Sequence, residues 1–295
     1  MNKKLLTFLL VILSILLPSA LKAQDLPFSD KEQLRIVIHY KWGFSADIAE
    51  LNVKVSREEK ASGPQFYVTA NIATFKAWDG LFKIRDFYES RFSATPELMP
   101  VYQHREISEG GYWARNWFSW RDQGRTIDVK VDKQKYNHRE FTYTDKDIIR
   151  DVISLVFALR SEGLNRMVST KRVSYPMVLD KDIVTVSFRI IGREKKKIPG
   201  IGECKTIKTG VSVKRHAAKD ADDTSGRFSI TDEAGGVANV DGADFYGAEK
   251  IFIWFSDDEN HIPLYFSAPV AIGSINGRLA SYSGLKYPLN SLISK

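Results

Sequence analysis

The clearest pattern in the chain is a pair of apolar runs on either side of a short polar turn. Ile251 to Phe255 are five apolar residues in succession, which indicates a strand covered on both faces. After the turn formers Asp257 to Asn260, the second run alternates from Ile262 onward, so only one of its faces is buried. Residues 250–274 are therefore predicted to form a β-hairpin in the middle of the protein, whose two strands close the sheet.

Most of the remaining chain alternates between apolar and polar positions, as antiparallel strands with one solvated face do. The alternation predicts a mainly β fold of about ten to twelve strands, either a large antiparallel curved sheet or a barrel. Closure into a barrel has the advantage of removing exposed strand edges. The predicted strands lie at residues 34–41, 49–56, 64–72, 99–106, 112–121, 126–133, 184–190 and 205–214, with a last one after 278.

Two stretches change to a helical period, which predicts about two helices packed on the sheet. The first prediction covers residues 76–91. It rests on the spacing of Trp78, Leu81, Phe82, Arg85, Tyr88 and Phe92. The second helix is expected to begin near Asp145, with Thr144 as its cap and Asp147 as a capping carboxylate, and to end at Gly163.

The first 23 residues have the composition of a secretory signal peptide. Two lysines precede an apolar run from Leu5 to Leu17, and small residues surround a cleavage point after Ala23. The run is too short to remain as a membrane-spanning helix, although an uncleaved anchor is the alternative. We expect one β-barrel-like domain at residues 24–295. We also expect an exported protein, periplasmic or associated with the outer envelope and soluble after cleavage.

Charge and composition exclude several classes of function. The formal charge of +7 includes three lysines of the leader, so the processed chain carries about +4, too little to predict a nucleic-acid partner. Cys204 is the only cysteine, which excludes an intramolecular disulfide and any site with several cysteine ligands. The five histidines are scattered, and no Gly-x-Ser-x-Gly elbow is present. We predict no cofactor, no metal and no enzymatic activity.

Two further clusters each have two interpretations. Asp257 to Asn260 could supply oxygen ligands to calcium, but the order of an EF-hand loop is absent and turn formation is favoured. The basic stretch from Arg193 to Lys197 is predicted to be a hairpin tip, either solvated or in contact with the phosphates of a membrane surface.

The aromatic stretch Tyr112 to Arg121 supplies the candidate ligand-binding residues. Tryptophan and arginine alternate on one face of this predicted strand, a combination that suits stacking on a sugar or contact with a lipid headgroup. The alternative is that the aromatic residues pack against the second helix. The predicted ligand-binding residues are Trp113, Arg115, Trp117 and Arg121.

The sequence Trp-Phe-Ser-Asp-Asp at residues 254–258, followed by Ile262-Pro263 and Ile272-Gly273-Ser274-Ile275, resembles the closing signature of an exported bacterial family known as a domain of unknown function. Tyr175 to Val178 agree with the same family, and the resemblance covers most of residues 30–282. It implies an envelope β-barrel fold similar to periplasmic lipoprotein carriers and capsule-locus lipoproteins, and it implies no catalytic residues. No cysteine follows the leader to accept a lipid, unlike in lipoproteins.

These observations favour an exported cell-envelope binding protein that holds a lipid, a glycolipid or a glycan on a concave, aromatic-lined face of the barrel. Contact with a membrane surface is a further expectation, and the sequence does not say which proteins, if any, are its partners. One alternative is a structural or assembly factor of the cell envelope. The other is a hydrolase of envelope polymers, which needs two carboxylates that leave little trace in the sequence.

Overall fold

A computed structural model describes residues 26–134, 136–179, 182–215, 250–270 and 273–294, so the expected signal peptide lies outside the described residues. In these ranges 15 strands form one antiparallel sheet. The strands are β1 (Gln33–Trp42), β2 (Phe44–Lys60), β3 (Gly63–Thr74), β4 (Arg85–Ser93), β5 (Pro100–Glu109), β6 (Tyr112–Arg121), β7 (Thr126–Lys133), β8 (Tyr136–Thr144), β9 (Arg172–Leu179), β10 (Asp182–Ile198), β11 (Gly202–Arg215), β12 (Ile251–Ser256), β13 (Pro263–Pro269), β14 (Ser274–Ser283) and β15 (Leu292–Ser294).

The sheet consists of two meanders joined in the middle. Its order is β8 through β1, then β14 through β9, with β15 paired to β11. Among the strands that the structure describes, β8 and β9 are the two edges, so the curved sheet is not closed and the barrel alternative is wrong. The predicted hairpin is confirmed as β12 and β13. It lies inside the sheet rather than at a closing seam, because β12 also pairs with β11 and β13 also pairs with β14.

One helix of 19 residues, α1, connects the two edges of the sheet. It comprises Val152–Ala158, a π-helical turn at Leu159–Gly163, and Leu164–Thr170. Its cap is Asp151, whose carboxylate accepts from the amide of Ser154 at 3.0 Å. The predicted start near Asp145 is therefore wrong, and Thr144 is the last residue of β8.

The helix also continues through Gly163, where the sequence predicts its end. A Cβ at this position would lie 2.7 Å from Tyr175 Oη and 2.8 Å from Leu159 Cδ1. The glycine therefore permits close packing of α1 on β9 and does not terminate the helix.

The helix predicted at residues 76–91 is also wrong. The chain makes only a 3-10 turn at Lys76–Trp78 and then enters β4. In β4 the alternate residues Asp86, Tyr88, Ser90 and Phe92 share a face with the core, and Asp86 and Ser90 are buried. Because two of these inward positions are polar, the alternation of this strand is hidden in the sequence.

The helix covers part of one face of the sheet, here called the inner face. Leu155, Leu159 and Met167 pack against β9–β12, and Phe157 packs against Phe28 and β2–β4. The end of the sheet that carries the β1–β2 turn at Gly43 is called the upper end, and the opposite end is the lower end. Side chains of β6 and β7 contact β9 through the cluster of Phe118, Ile127 and Val178.

A buried ion pair fixes α1 to the chain around it. Arg160 Nη1 lies 2.7 Å from Glu32 Oε1, and the two side chains are 1% and 0% exposed. Arg160 Nη2 also donates to the carbonyl of Asn260 at 3.1 Å, and the Arg160 carbonyl contacts Nδ1 of His261 at 3.0 Å. The helix, the segment before β1 and the β12–β13 turn are thus held at one point.

The basic stretch at Arg193 to Lys197 is not a hairpin tip. Strand β10 runs through it to Ile198, and the turn follows at Pro199 to Ile201. Lys196 Nζ lies 4.2 Å from the ring centroids of Trp254 and Tyr265. Lys196 therefore lies on the outer face of the sheet.

Candidate ligand-binding groove

The inner face is buried at its lower end and partly exposed in a band nearer its upper end, above which Ala49, Thr74, Asp86 and Glu109 are buried again. In the neighbouring strands β13, β14 and β1–β5, the lower inward residues are buried, and one step or two higher they are half-exposed. In β13, Leu264 is 0% exposed and Phe266, two residues higher, is partly exposed. In β3, Val68 is likewise buried and Ile72, four residues higher, is partly exposed. The half-exposed inward residues are Ile38, Leu51, Ile72, Tyr88, Arg105, Phe266 and Ile275.

The register of the strands makes these side chains contiguous. Leu51 pairs with Ile36 on one side and with Ile72 on the other. Tyr88 pairs with Arg105, and Gly277 lies between Ile38 and Phe266. A Cβ at Gly277 would lie 1.9 Å from the ring of Phe266, so the glycine gives this ring its place on the inner face. Together these residues form a partly exposed, mainly apolar band on the inner face, here called the upper groove.

Two carboxyl groups lie on the inner face beside the upper groove. Asp86 and Glu109 are 5% and 8% exposed, and their side chains are within hydrogen-bonding distance of each other. Asp86 Oδ1 also accepts from the Ser108 amide at 2.9 Å. Burial raises the pKa of Asp86 to about 6, and burial together with the charge of Asp86 raises the pKa of Glu109 to about 8.

The two carboxyl groups therefore share a proton near neutral pH, and Arg105 offsets the remaining charge. Arg105 Nε in turn donates to Asn116 Oδ1 at 3.1 Å. The groove thus combines an aliphatic and aromatic surface with one guanidinium whose position is fixed. Such a lining suits an apolar ligand that carries a polar end.

The residues predicted from the sequence to bind ligand lie on the opposite, outer face. Trp113, Arg115, Trp117 and Arg121 do share one face of β6, as the alternation predicts, while Phe118 faces the core. Their role in binding stays a prediction. Because they lie on the outer face, they do not line the inner face of the sheet.

The structure brings these four residues into separate contacts on the outer face. Trp117 stacks on His104 with ring centroids 5.2 Å apart, and Lys130 Nζ lies 5.7 Å from the Trp117 ring. Arg115 lies over Trp113 at 5.9 Å. Arg121, at the far end of the strand, pairs with Asp128 at 3.0 Å.

The Ser-Asp-Asp stretch after β12 forms an internally bonded turn. Asp258 Oδ1 accepts from Ser256 Oγ at 2.8 Å, and its Oδ2 accepts from the Ser291 amide at 3.0 Å. Asp257 pairs with Arg193 at 3.1 Å. Turn formation, rather than calcium binding, accounts for these contacts; in the described part of the chain no group of three or more His, Cys, Asp or Glu could hold a metal ion.

An open hollow of about 650 Å³ lies beside this turn. It is lined by polar groups of the turn, of α1 and of β10, among them Ser161, Asn165 and His261, and by the apolar residues Leu164, Val168 and Ile207. Its carboxylates are already engaged, because Glu259 accepts from Asn290 at 3.3 Å and Asp257 pairs with Arg193. The upper groove is therefore the better candidate for an apolar ligand.

Among the described residues, no helix has the length and apolar character needed to span a membrane.

The family described as protein of unknown function (DUF3108) matches residues 35–280. The chain belongs to the DUF3108 family. None of the curated proteins matches this DUF3108 chain at a significant level.

Solved structures resemble this DUF3108 protein at low sequence identity. A β-barrel-like protein of the DUF1849 family from Brucella abortus is 7% identical with a TM-score of 0.50, over 87% of this chain and 98% of that one. A predicted exported protein with a YmcC-like fold from Bacteroides fragilis is 9% identical with a TM-score of 0.33, over 88% and 99%. A predicted lipoprotein from Parabacteroides distasonis is 8% identical with a TM-score of 0.32, over 88% and 100%. The first likeness supports the curved β architecture alone.

The upper groove was not found from the sequence. The alternation in β1–β3 does identify Ile38, Leu51 and Ile72 as inward residues. What it lacks is any signal that α1 covers only the lower part of the face. Asp86 and Tyr88 were not identified as inward residues of a strand, because the segment that contains them has a helical period and was predicted to be a helix.

Proposed function

We propose that this DUF3108 protein is an exported envelope protein that holds the apolar part of an amphiphile in the upper groove. The observation that carries the proposal is the row of partly exposed apolar side chains on the inner face of six neighbouring strands, β13, β14 and β1–β4. A soluble fold normally covers such a face, since each buried methylene contributes about 0.8 kcal/mol. A bound acyl chain would supply the missing cover.

The polar end of the ligand is proposed to lie near Arg105. Its guanidinium is oriented by Asn116 and can donate to an anionic or carbonyl group of a lipid. The signal peptide expected at residues 1–23 supports an envelope location, where amphiphiles are available.

The first test is purification, without detergent, from a host that exports the protein. Native mass spectrometry is expected to show a mass increment that organic extraction removes. The emptied protein is then expected to bind a fluorescent fatty acid. Absence of both the increment and the binding would overturn the proposal.

The second test locates the ligand. Leu51→Asn and Ile72→Asn are each expected to weaken fatty-acid binding about tenfold, because each removes about one side chain of apolar contact. Trp117→Ala, on the outer face, is the matched control and is expected to leave the affinity unchanged. The opposite result, with only Trp117→Ala weakening the binding, would move the ligand to the outer face.

A glycan on the outer face is the second candidate, and the stack of Trp117 on His104 beside Lys130 favours it. Aromatic rings next to cations suit sugar rings with acidic substituents. Loss of oligosaccharide binding in Trp117→Ala, with Leu51→Asn unaffected, is the expected result for this candidate.

Hydrolysis of envelope polymers has weaker support. A glycoside hydrolase places its two carboxyl groups about 5–9.5 Å apart, on either side of the bond that it cleaves. Asp86 and Glu109 instead lie within hydrogen-bonding distance of each other and are buried. The absence of enzymatic activity stays a prediction.

A further inference from the structure

The upper end of the sheet exposes large apolar side chains. Trp42 and Phe44 flank the β1–β2 turn and are 56% and 43% exposed, and Leu81, in the segment between β3 and β4, is 76% exposed. Single exposed apolar residues are ordinary, but a contiguous group marks an interaction surface. Segments 41–47, 75–84 and 109–113 make up this surface, here called the rim.

The segments of the rim contact one another and are held in place. The rings of Phe44 and Trp78 stack with centroids 5.7 Å apart, and the Trp78 indole donates to the carbonyl of Asp47 at 2.9 Å. A Cβ on Gly110 would lie 2.6 Å from the ring of Phe82, which shows how closely this ring lies on the β5–β6 turn. The apolar groups are therefore presented together on a fixed frame.

The charge of the rim is positive. Lys41, Lys76 and Lys83 are exposed on it. Asp79 forms an ion pair with Arg85 at 2.6 Å, and Asp47 forms one with Arg278 at 2.7 Å. The remaining carboxyl group of the three segments belongs to Glu109 and is buried. The lysines thus surround an apolar surface whose acidic side chains are neutralised or covered.

We propose that the rim docks on the surface of a bilayer that contains anionic phospholipid. Tryptophan, phenylalanine and leucine at the tips of turns insert at the depth of the headgroups, and lysines beside them are attracted to lipid phosphates. A partner protein would need an apolar patch surrounded by acidic groups to complement the rim. An anionic bilayer supplies an apolar interior and negatively charged headgroups, and it needs no specific shape.

The rim lies at the same end of the sheet as the upper groove, and the buried residues Ala49, Thr74, Asp86 and Glu109 separate the two. The inference does not depend on a ligand in the groove, because the rim and the inner face use different side chains.

The experiment is flotation with lipid vesicles of the protein purified from an exporting host. Phosphatidylcholine vesicles with and without phosphatidylglycerol are compared. The wild type is expected to float with the anionic vesicles, and Trp42→Ser combined with Leu81→Ser is expected to lower the bound fraction about tenfold or more. Lys76→Gln and Lys83→Gln are each expected to lower it about fivefold.

Val168→Ser is the matched control, since Val168 is 65% exposed on α1, away from the rim. It is expected to float like the wild type, and the melting temperature of every variant shows whether it is folded. Failure of the folded wild type to float with anionic vesicles would overturn the inference. So would a wild-type dimer in analytical ultracentrifugation that Trp42→Ser with Leu81→Ser converts to monomers, because the rim would then be a subunit contact.

Fatty-acid binding and flotation are scored separately. Leu51→Asn is expected to float normally, so a lost groove ligand and a lost membrane contact give different results.

Discussion

The lower and upper parts of the inner face are made from the same strands but differ in what covers them. At the lower end α1 fills the concave side, with Phe157 and Leu159 3% and 0% exposed. At the upper end Leu51, Ile72 and Phe266 keep contact with water. The same alternation of side chains thus supplies a core in one part and an open surface in the other. A sheet can serve stability and binding at once when a single helix covers only part of it.

The difference has an energetic meaning. Substitutions at the lower end should lower the free energy of unfolding without a specific effect on ligand binding. Substitutions in the upper groove should do the reverse, because half-exposed side chains contribute less to folding.

The largest effect is expected for Arg160→Met. The substitution leaves Glu32 as a buried carboxylate without its partner, and breaking a buried pair in this way costs about 3–5 kcal/mol. Urea unfolding followed by circular dichroism measures the loss. Arg166→Met is the control, because its pair with Glu162 is exposed and contributes about 0.3–0.5 kcal/mol. Equal losses in the two variants would contradict the anchoring role of Arg160.

The next effect concerns the acid pair at the upper end and depends on pH. Glu109 keeps its proton to a higher pH when folded, so the folded state binds more protons than the unfolded state between about pH 4.5 and 8. The free energy of unfolding should therefore fall as pH rises through this window, by on the order of 3 kcal/mol.

Glu109→Gln is expected to flatten this dependence, because the amide keeps a hydrogen-bonding group and does not titrate. Urea unfolding at several pH values across the window measures the slope. A slope that persists unchanged in the variant would show that other groups cause it.

A smaller effect is expected for Gly163→Ala at the contact of α1 with β9. The added methyl group meets Tyr175 Oη and Leu159, and overpacking of this kind costs about 1–3 kcal/mol. Gly192→Ala is the control, because the methyl group that it adds would meet no atom within 4 Å, and its effect should stay within about 0.5 kcal/mol. Thermal unfolding compares the two variants.

The smallest effect is expected on the outer face. Trp117→Ala removes a cross-strand stack on His104, which contributes about 0.2–1 kcal/mol to a sheet. Chemical denaturation is sensitive enough to measure it. A loss of several kcal/mol would mean that the outer face acts as a second core. The two faces of β6 would then contribute similarly to the free energy of unfolding.

Strands with one polar face were predictable, and the reason is physical. In β7 the apolar Ile127, Val129 and Val131 are all buried while the residues between them are polar. The β12–β13 hairpin was equally visible, since its turn residues separate two apolar runs. Burial on both faces was predicted for the whole run Ile251 to Phe255, but only Trp254 and Phe255 are buried and the three residues before them are partly exposed.

The remaining features depend on contacts between distant residues. The inward Asp86 and Ser90 are stabilised by Glu109 and by Asp151, respectively, and no local pattern announces such partners. The cap of α1 was misplaced because Thr144 and Asp151 are both acceptable caps, and only the pairing of Thr144 with Thr126 in the sheet decides between them. The upper groove, likewise, exists only because of where α1 ends.

The pairing of β1 with β14 has a consequence for how the chain is made. Gln33 faces Ser283, so a strand near the beginning of the chain must wait for one near its end before the centre of the sheet can form. Such distant pairing slows folding, because a long loop must be closed first. A chain interrupted before residue 274 would keep two unpaired strand edges, which recruit further copies of the same chain. We therefore expect the centre of the sheet to form only after β14 has been synthesised.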